Sequence, residues 1–448
     1  MKTNNKARSV IGLLLLVVLA AFTSVAQSRD TITTEASNQQ GTPAATTMVG
    51  PQAQIVYGSQ GVLIETLDRR TVASQSPEVP FNPASAVKLA TALVALRSLG
   101  PAHRFSTGVW TNGSFDKTTG TITGNLYISG RDPSFHDEHG IMIAEQLNKL
   151  GIRTVTGDLV VAPLFTMNFR WSARRSGERL YDTLDATLRS PEALAAWNYV
   201  RAVQSVEANA AIPSVAVMGE VLVKPVEANA RLLMTNQSSK LTDVLKVLLC
   251  YSNNFMAERL GDSLGGVGAV ERDLNKSLPI PAGEFRLASL SGLGTNRVTP
   301  RAMMIVFRAL REELRKHKLS TTDIMPVAGI DPGTLQERFT DPLSRGSVIA
   351  KTGTLIRTDG GASSLVGQMR TAGGEILLFV ILNQRGSVLR FRDNQDFLVK
   401  QVQASRGGPR AFAYTPHPLS MKLADTRSRL AESDEEYEPV IANGSSPE

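Results

Sequence analysis

Three short polar motifs stand in a fixed order along this chain, and their spacing restricts the fold more than any other feature: Ser85-Ala86-Val87-Lys88, then Ser252-Asn253-Asn254, then Lys351-Thr352-Gly353. If they meet in space, the 167 residues between Ser85 and Ser252 must leave and return, which is too long for a simple connection. A module is therefore inserted there, and the surrounding domain is discontinuous. Together the motifs supply a nucleophilic hydroxyl, two amines, a relay hydroxyl, an amide and a glycine-flanked strand, the groups that make and break an acyl-serine.

Taken singly, each motif has a plain structural reading. About one Ser-x-x-Lys is expected by chance in a chain of this length, and Ser114-Phe115-Asp116-Lys117 is a second match, set in a turn-rich stretch where Lys117 faces water. Ser85 follows Asn82-Pro83-Ala84 and precedes Leu89, Ala90, Leu93, Val94 and Leu96 with no Gly or Pro before Gly100, which predicts a helix starting near Ser85. Lys88 then lies on the same face as Ser85. Ser252-Asn253-Asn254 interrupts two apolar helical patterns, where polar residues ordinarily cap a helix. Lys351-Thr352-Gly353 ends a β-branched strand, 347–350, where a glycine commonly marks a turn. The ordered trio outweighs these separate readings.

With longer strings included, the chain resembles the class C low-molecular-mass penicillin-binding proteins, serine D-alanyl-D-alanine carboxypeptidases/endopeptidases. The resemblance rests on Asn82-Pro83-Ala84-Ser85, Lys88-Leu89, Leu99-Gly100-Pro101, Gly124-Asn125-Leu126-Tyr127-Ile128, Asp132-Pro133-Ser134, Ala257-Glu258, Ser291-Gly292-Leu293, Asn296-Arg297-Val298-Thr299-Pro300, Pro326-Val327-Ala328-Gly329-Ile330-Asp331 and Gly333-Thr334-Leu335, besides the trio extended to Thr354-Leu355. It runs from about Ala53 to Gln403. Three departures bear on substrate fit: Gly130-Arg131-Asp132-Pro133 for Gly-Gly-Asp-Pro, Pro332 within Asp-Gly-Thr-Leu, and Ala288-Ser289-Leu290 where an Asp-Gly pair is expected.

The resemblance implies a penicilloyl-serine transferase fold of the α+β class, an antiparallel sheet covered by helices, with a β-rich domain inserted after the nucleophile helix. It also implies peptidoglycan stem peptides as substrate and β-lactams as covalent inhibitors. Ser85 would attack, Lys88 would act as base with its pKa lowered by a helix N-terminus and by Lys351, Ser252 would carry the proton to the leaving amine, and Asn254 would hold Lys88 and the substrate amide. Lys351 and Thr352 would bind the terminal carboxylate, Gly353 would let substrate lie along the strand, and the oxyanion would sit between the N–H groups of Ser85 and Thr354. No metal or organic cofactor is required. A β-lactamase-like hydrolase and a non-catalytic wall-binding protein are the alternatives on the same fold.

The expected organisation is a secretory signal at 1–26, with Lys2, Lys6 and Arg8, an apolar run 10–22 and Ser24-Val25-Ala26, then a disordered leader 27–48. A catalytic domain follows in two pieces, 49–100 and 237–405, around an inserted domain 101–236, with a disordered tail 406–448. The core sheet is expected from 55–58, 62–67, 347–351, 364–369 and 376–383, under helices at 84–99, 241–264, 300–316 and 392–403. In the insert, short strands at 104–111, 121–129, 153–162 and 215–223 accompany one amphipathic helix at 141–150, and no internal repeat is apparent. Removing Lys2, Lys6 and Arg8 takes the formal charge from +7 to +4, which suits an exported, periplasmic protein meeting an anionic wall polymer and calls for no nucleic-acid partner. Cys250 is the only cysteine and reads as a small buried hydrophobe. His136-Asp137-Glu138-His139 reads as a solvated polar loop, Glu145-Gln146-Leu147-Asn148 as helix surface, and no Gly-x-Ser-x-Gly elbow is present.

Overall fold

The computed structural model describes residues 58–203 and 211–431; the expected signal and leader, strand residues 55–57 and the acidic end of the tail lie outside the described residues. The catalytic domain is built on a five-stranded antiparallel sheet. Its strands are β1 (Ser59–Thr66), β2 (Thr71–Gln75), β3 (Val348–Leu355), β4 (Ala362–Arg370) and β5 (Ile376–Gln384), in the order β3-β4-β5-β1-β2. β1 enters beside β5 with Ile64 opposite Phe379, so the N-terminal piece of the domain is closed by the C-terminal piece. Both faces of the sheet are covered, which is why β5 reads as the unbroken run Leu377-Leu378-Phe379-Val380-Ile381-Leu382.

On one face lie α1 (Lys88–Leu99), α2 (Leu241–Tyr251), α3 (Asn254–Ser263) and α4 (Pro300–Lys316); α5 (Val388–Ala404) covers the other. α1 is buried along its whole length to Leu96, apolar apart from Lys88 and Thr91, as suits a helix at the centre of a domain. The helix expected over 241–264 is broken in two at Ser252, which takes a left-handed conformation (φ 56°, ψ 39°).

The inserted module has its own core, around Val109, Ile122, Leu126, Ile143, Leu159, Leu180 and Met234. It is less β-rich than expected: besides Asp137–Lys149, helices run over Ala173–Leu184 and Pro191–Val203. The inward stripe of Ala173–Leu184 combines Leu180 and Leu184 with the small residues Ser176, Gly177 and Thr183, and Gly177 faces Val161 and Val221.

The module also contains a repeat that is not apparent on first reading. Thr-Ile-Thr-Gly-Asn-Leu-Tyr-Ile (121–128), Thr-Val-Thr-Gly-Asp-Leu-Val-Val (154–161) and Ala-Val-Met-Gly-Glu-Val-Leu-Val (216–223) stack as parallel rungs, with Ile122 beside Val155 beside Val217 and Leu126 beside Leu159 beside Val221. Each rung breaks at its Gly-Asn, Gly-Asp or Gly-Glu step and passes from one small sheet to the next. The Asn112 side-chain oxygen accepts the Asn125 N–H, that of Asn125 accepts the Asp158 N–H, and that of Asp158 accepts the Glu220 N–H, at 2.8–2.9 Å. A Cβ at Gly157 would lie 2.3 Å from Asn125 Oδ1, so the ladder closes only with glycine there.

The tail expected to be disordered from 406 is ordered through Ala431. Tyr414 Oη donates to Asp331 Oδ1 (2.6 Å), the helix Leu419–Leu423 puts both end residues into the catalytic core, and the strand Arg427–Leu430 pairs with Arg231–Gln237 of the insert's sheet. Lys422 also bonds Asp243 on α2 (2.6 Å). The segment is a strap across both modules; its apolar anchors are widely spaced among polar residues, which gives it a disordered-looking composition. Among the described residues no helix is long and apolar enough to cross a membrane. Leu419 is 4% exposed, so Leu419→Ala should cost about 2–4 kcal/mol in urea unfolding; a loss below about 0.5 kcal/mol, the range of surface substitutions, would show that the strap is not part of the cooperative fold.

Candidate active site

Ser85, the expected nucleophile, sits in a turn, not in the α-helix. Residues Ala84–Val87 form a 3-10 turn and the α-helix begins at Lys88. Asn82, fully buried, shapes the approach: its Oδ1 accepts the Ala84 N–H (3.0 Å), and its Nδ2 donates to Asp359 Oδ2 (2.7 Å) and Gly294 O (2.9 Å). Ala84 is held at φ 46°, a left-handed conformation that a non-glycine residue keeps only when its surroundings enforce it. One enforcing contact is Gly292, where a Cβ would fall 2.0 Å from Ala84 O.

The structure brings all three motifs together. Lys88 is fully buried, and its Nζ lies 3.0 Å from Ser85 Oγ, 2.8 Å from Asn254 Oδ1 and 2.5 Å from Ser291 O. A neutral amine has two N–H groups and one lone pair. Two carbonyl acceptors plus one hydroxyl therefore match a neutral Lys88 that donates to Asn254 and Ser291 and accepts from Ser85. The electrostatics agree: burial first, and then the Lys351 ammonium, hold Lys88 well below the usual lysine range, against an opposing pull from Glu258.

Lys351, also fully buried, donates from Nζ to Ser252 Oγ (2.8 Å) and Thr352 O (2.7 Å), and burial lowers it to about 7. Its strand β3 is the edge of the sheet and packs on the nucleophile turn. Gly353 is required by that packing, since a Cβ would lie 2.2 Å from Ser364 Oγ and 2.5 Å from Pro83 O, while Ser364 Oγ itself donates to Pro83 O (2.7 Å). The glycine seats the turn against the strand, a role its sequence context does not reveal. Thr352 and Thr354 alternate onto the other side of β3, and Thr354 Oγ1 accepts from Arg392 (2.8 Å).

Sequence reasoning assigns no role to Asn82, Glu258, Ser291 or Arg392, although the first three stand in strings quoted for the family resemblance. Glu258 accepts the Ser291 N–H (2.9 Å), which fixes the carbonyl presented to Lys88. The remaining candidates lie elsewhere. Ser114 and Lys117 are exposed. Cys250 is buried with its thiol pushed up to about 12. His139 is not solvated as expected but fully buried: its Nδ1 accepts the His136 N–H (2.8 Å) and its Nε2 bonds Leu423 O (3.1 Å), a helix cap that occupies both ring nitrogens although His136, Glu138 and His139 cluster within 4.8 Å. Glu145 pairs with Lys149 on the surface, whereas Asn148 clasps Ile152 O and Ser214.

A half-buried serine bonded to a fully buried lysine beside the edge strand of a helix-covered antiparallel sheet is the arrangement of the penicilloyl-serine transferase fold. The chain belongs to the D-Ala-D-Ala carboxypeptidase 3 (S13) family, which it matches over residues 51–168 and 190–404. It is 28% identical to a carboxypeptidase of Mycobacterium tuberculosis over 364 residues, 72% of this chain and 75% of that protein. It is 33% identical to D-alanyl-D-alanine carboxypeptidase DacB of Haemophilus influenzae over 178 residues, 36% of this chain and 35% of that one. Of solved structures, a predatory endopeptidase of Bdellovibrio bacteriovorus superposes with TM-score 0.68 at 23% identity, covering 82% of this chain and 97% of its own, and penicillin-binding protein 4 of Haemophilus influenzae with TM-score 0.57 at 21%, covering 76% and 96%.

Because Lys351 in the folded protein deprotonates near 7 while an unfolded lysine holds its proton to about 10.4, the unfolded state binds the extra proton between those values. Stability therefore rises with pH over that window, by up to about 1.4 kcal/mol per pH unit from this group. Unfolding free energies of the wild type and Lys351→Met, taken from pH 7 to 10, should shift relative to one another in favour of the wild type as pH rises, because the cost of the buried ammonium is largest near 7 and fades toward 10. A difference independent of pH would mean that Lys351 titrates normally.

Proposed function

We propose that this chain is a serine D-alanyl-D-alanine carboxypeptidase, and an endopeptidase on cross-linked stem peptides, that works through an acyl-Ser85 intermediate and is acylated by penicillins. The observation that carries the reading is Lys88 Nζ, fully buried, bonded to two carbonyl oxygens and aimed at Ser85 Oγ. Ser85 Oγ attacks the carbonyl carbon of the D-Ala-D-Ala bond and gives its proton to neutral Lys88. The oxyanion lies at the N–H groups of Ser85 and Thr354, in a region where preorganised donors lower the barrier most. The C–N bond breaks as Ser252, hydrogen-bonded to Lys351, passes its proton to the departing amine and takes in exchange the one held by Lys88, which returns Lys88 to the neutral amine. Water then adds to the ester with Lys88 again as base and releases Ser85.

Thr352 at the edge of β3 receives the peptide, and Asn254 serves both Lys88 and the substrate amide. The signal-like N-terminus supports export to the periplasm, where stem peptides are found. The Bdellovibrio endopeptidase of the same fold is known in a penicillin G-acylated form, which supports β-lactam attack at the corresponding serine here.

Fluorescent penicillin should label the mature protein at Ser85. Ser85→Ala should abolish the label, Lys88→Ala should slow acylation by about 10²–10⁴-fold, and Ser114→Ala should change nothing. D-alanine should appear from a pentapeptide substrate. A label that survives Ser85→Ala, or rapid turnover of the β-lactam without lasting acylation, would overturn the reading, the second outcome in favour of a β-lactamase.

A further inference from the structure

The lysine of the third motif is occupied. Lys351 Nζ is fully buried between Ser252 Oγ and Thr352 O, so it is turned toward the proton relay and not toward the open edge of β3. A substrate that ends in a carboxylate still needs a cation at that edge, and the structure supplies a different one. Arg392, on the first turns of α5, is half-buried and donates from Nη2 to Thr354 Oγ1 at 2.8 Å. Among the described residues no carboxylate lies within ion-pair distance of it. Asp396, one turn along, is taken by Arg338, whose Nε reaches both its oxygens at 2.9 and 3.2 Å.

The second observation concerns Thr352. Its side chain falls on the same side of β3 as Thr354, by the two-residue period of a strand, and among the described residues no side-chain hydrogen bond engages its hydroxyl, on a residue 7% exposed. Two hydroxyls thus lie on one side of the edge strand, and an unneutralised guanidinium is bonded to one of them. The end of α5 that carries Arg392 is fixed in place, since Gln395 Nε2 donates to Ser363 Oγ (3.2 Å) and Asn383 Oδ1 (2.9 Å), and Gln60 Nε2 donates to Asn394 Oδ1 (2.9 Å). Burial and the neighbouring Arg338 both disfavour the Arg392 charge, with Asp396 opposing; an incoming anion would relieve that penalty.

We propose that Arg392, with the hydroxyls of Thr352 and Thr354, is the receptor for the free carboxylate of the substrate, and that it rather than Lys351 selects acids over neutral analogues. This rests on the acyl-Ser85 reading given above. A guanidinium suits the task because its planar fork matches a carboxylate and its charge does not vary with pH.

The test compares second-order acylation rates at Ser85 for benzylpenicillin and its methyl ester, followed by intact-protein mass spectrometry. The wild type should favour the acid by about tenfold or more, the range of a charge-assisted hydrogen bond. Arg392→Gln should lose most of that preference by slowing the acid while leaving the ester rate near its wild-type value, and Arg392→Lys should recover part of it. Equal wild-type rates for acid and ester would overturn the proposal without any variant. So would an unchanged acid-to-ester ratio in Arg392→Gln, or an equal fall in both rates, which would mark Arg392 as a structural support for Thr354. Failure of both compounds to acylate the wild type would instead remove the acyl-Ser85 reading, and the proposal with it.

Discussion

Two lysine side chains taken fully out of water, Lys88 and Lys351, set the terms for the rest of the catalytic domain. A buried ammonium is tolerated only where acceptors meet it or where it gives up its proton. Here the acceptors come from segments far apart in sequence: Ser85 from the turn before α1, Ser252 and Asn254 from the break between α2 and α3, and Ser291 O from the loop that follows. None of these can shift without stranding an amine. The left-handed backbone at Ala84 and at Ser252 is strain the domain sustains because the alternative is a buried nitrogen with no partner.

The distance between Ser252 and Lys351 depends in turn on a third buried lysine. Lys246, on α2, donates to Asp331 Oδ2 (2.6 Å), Thr322 O (2.9 Å) and Met325 O (2.7 Å). Asp331 also accepts from Val327 N and from Tyr414 of the strap. The loop so fixed touches both halves of the relay, because Thr334 N–H donates to Cys250 O at the end of α2 and Val327 pairs with Ile349 at the start of β3. Removing one member of such a buried pair leaves an uncompensated charge, so the loop is held by the same electrostatic constraint as the site it supports. Through Tyr414 the strap becomes part of that arrangement, which explains why it is ordered despite its polar composition.

How much of this could be read from the chain depends on the range of the signal. The trio, the discontinuous domain and four of the five core strands are legible because each is a local pattern: a motif in a helix start, an alternation, an apolar run. The partners of Lys88 are only half legible. Asn254 is visible from its motif, but Ser291 contributes a backbone carbonyl, which no side-chain pattern can announce. The ladder in the insert escapes because its rungs are 33 and 62 residues apart and only one glycine is common to all three. The helix Ala173–Leu184 is amphipathic, with Leu180 and Leu184 buried, and escapes because charged residues dominate its length. Pro83 is a sound signal for a helix start, yet the first four residues tighten into a 3-10 turn, with Ala84 at φ 46° and its carbonyl where a Cβ at Gly292 would lie.

The two cations at the edge strand differ in a way that suits different work. Lys351, lowered to about 7 by burial, sits near the midpoint of its own titration and can exchange a proton with Ser252 at little cost; a group in that state is a poor anchor for an anion, because its charge would come and go with the proton it handles. Arg392 cannot lose its proton at any physiological pH and is poorly suited to proton transfer, yet for the same reason it offers a constant field to a carboxylate. Placing the relay charge on the buried side of β3 and the anchoring charge beside Thr354 separates the two tasks by one strand. The proton at Ser252 can then move without weakening the hold on the substrate, and a substrate without its carboxylate loses the anchor while the acyl-transfer machinery stays intact.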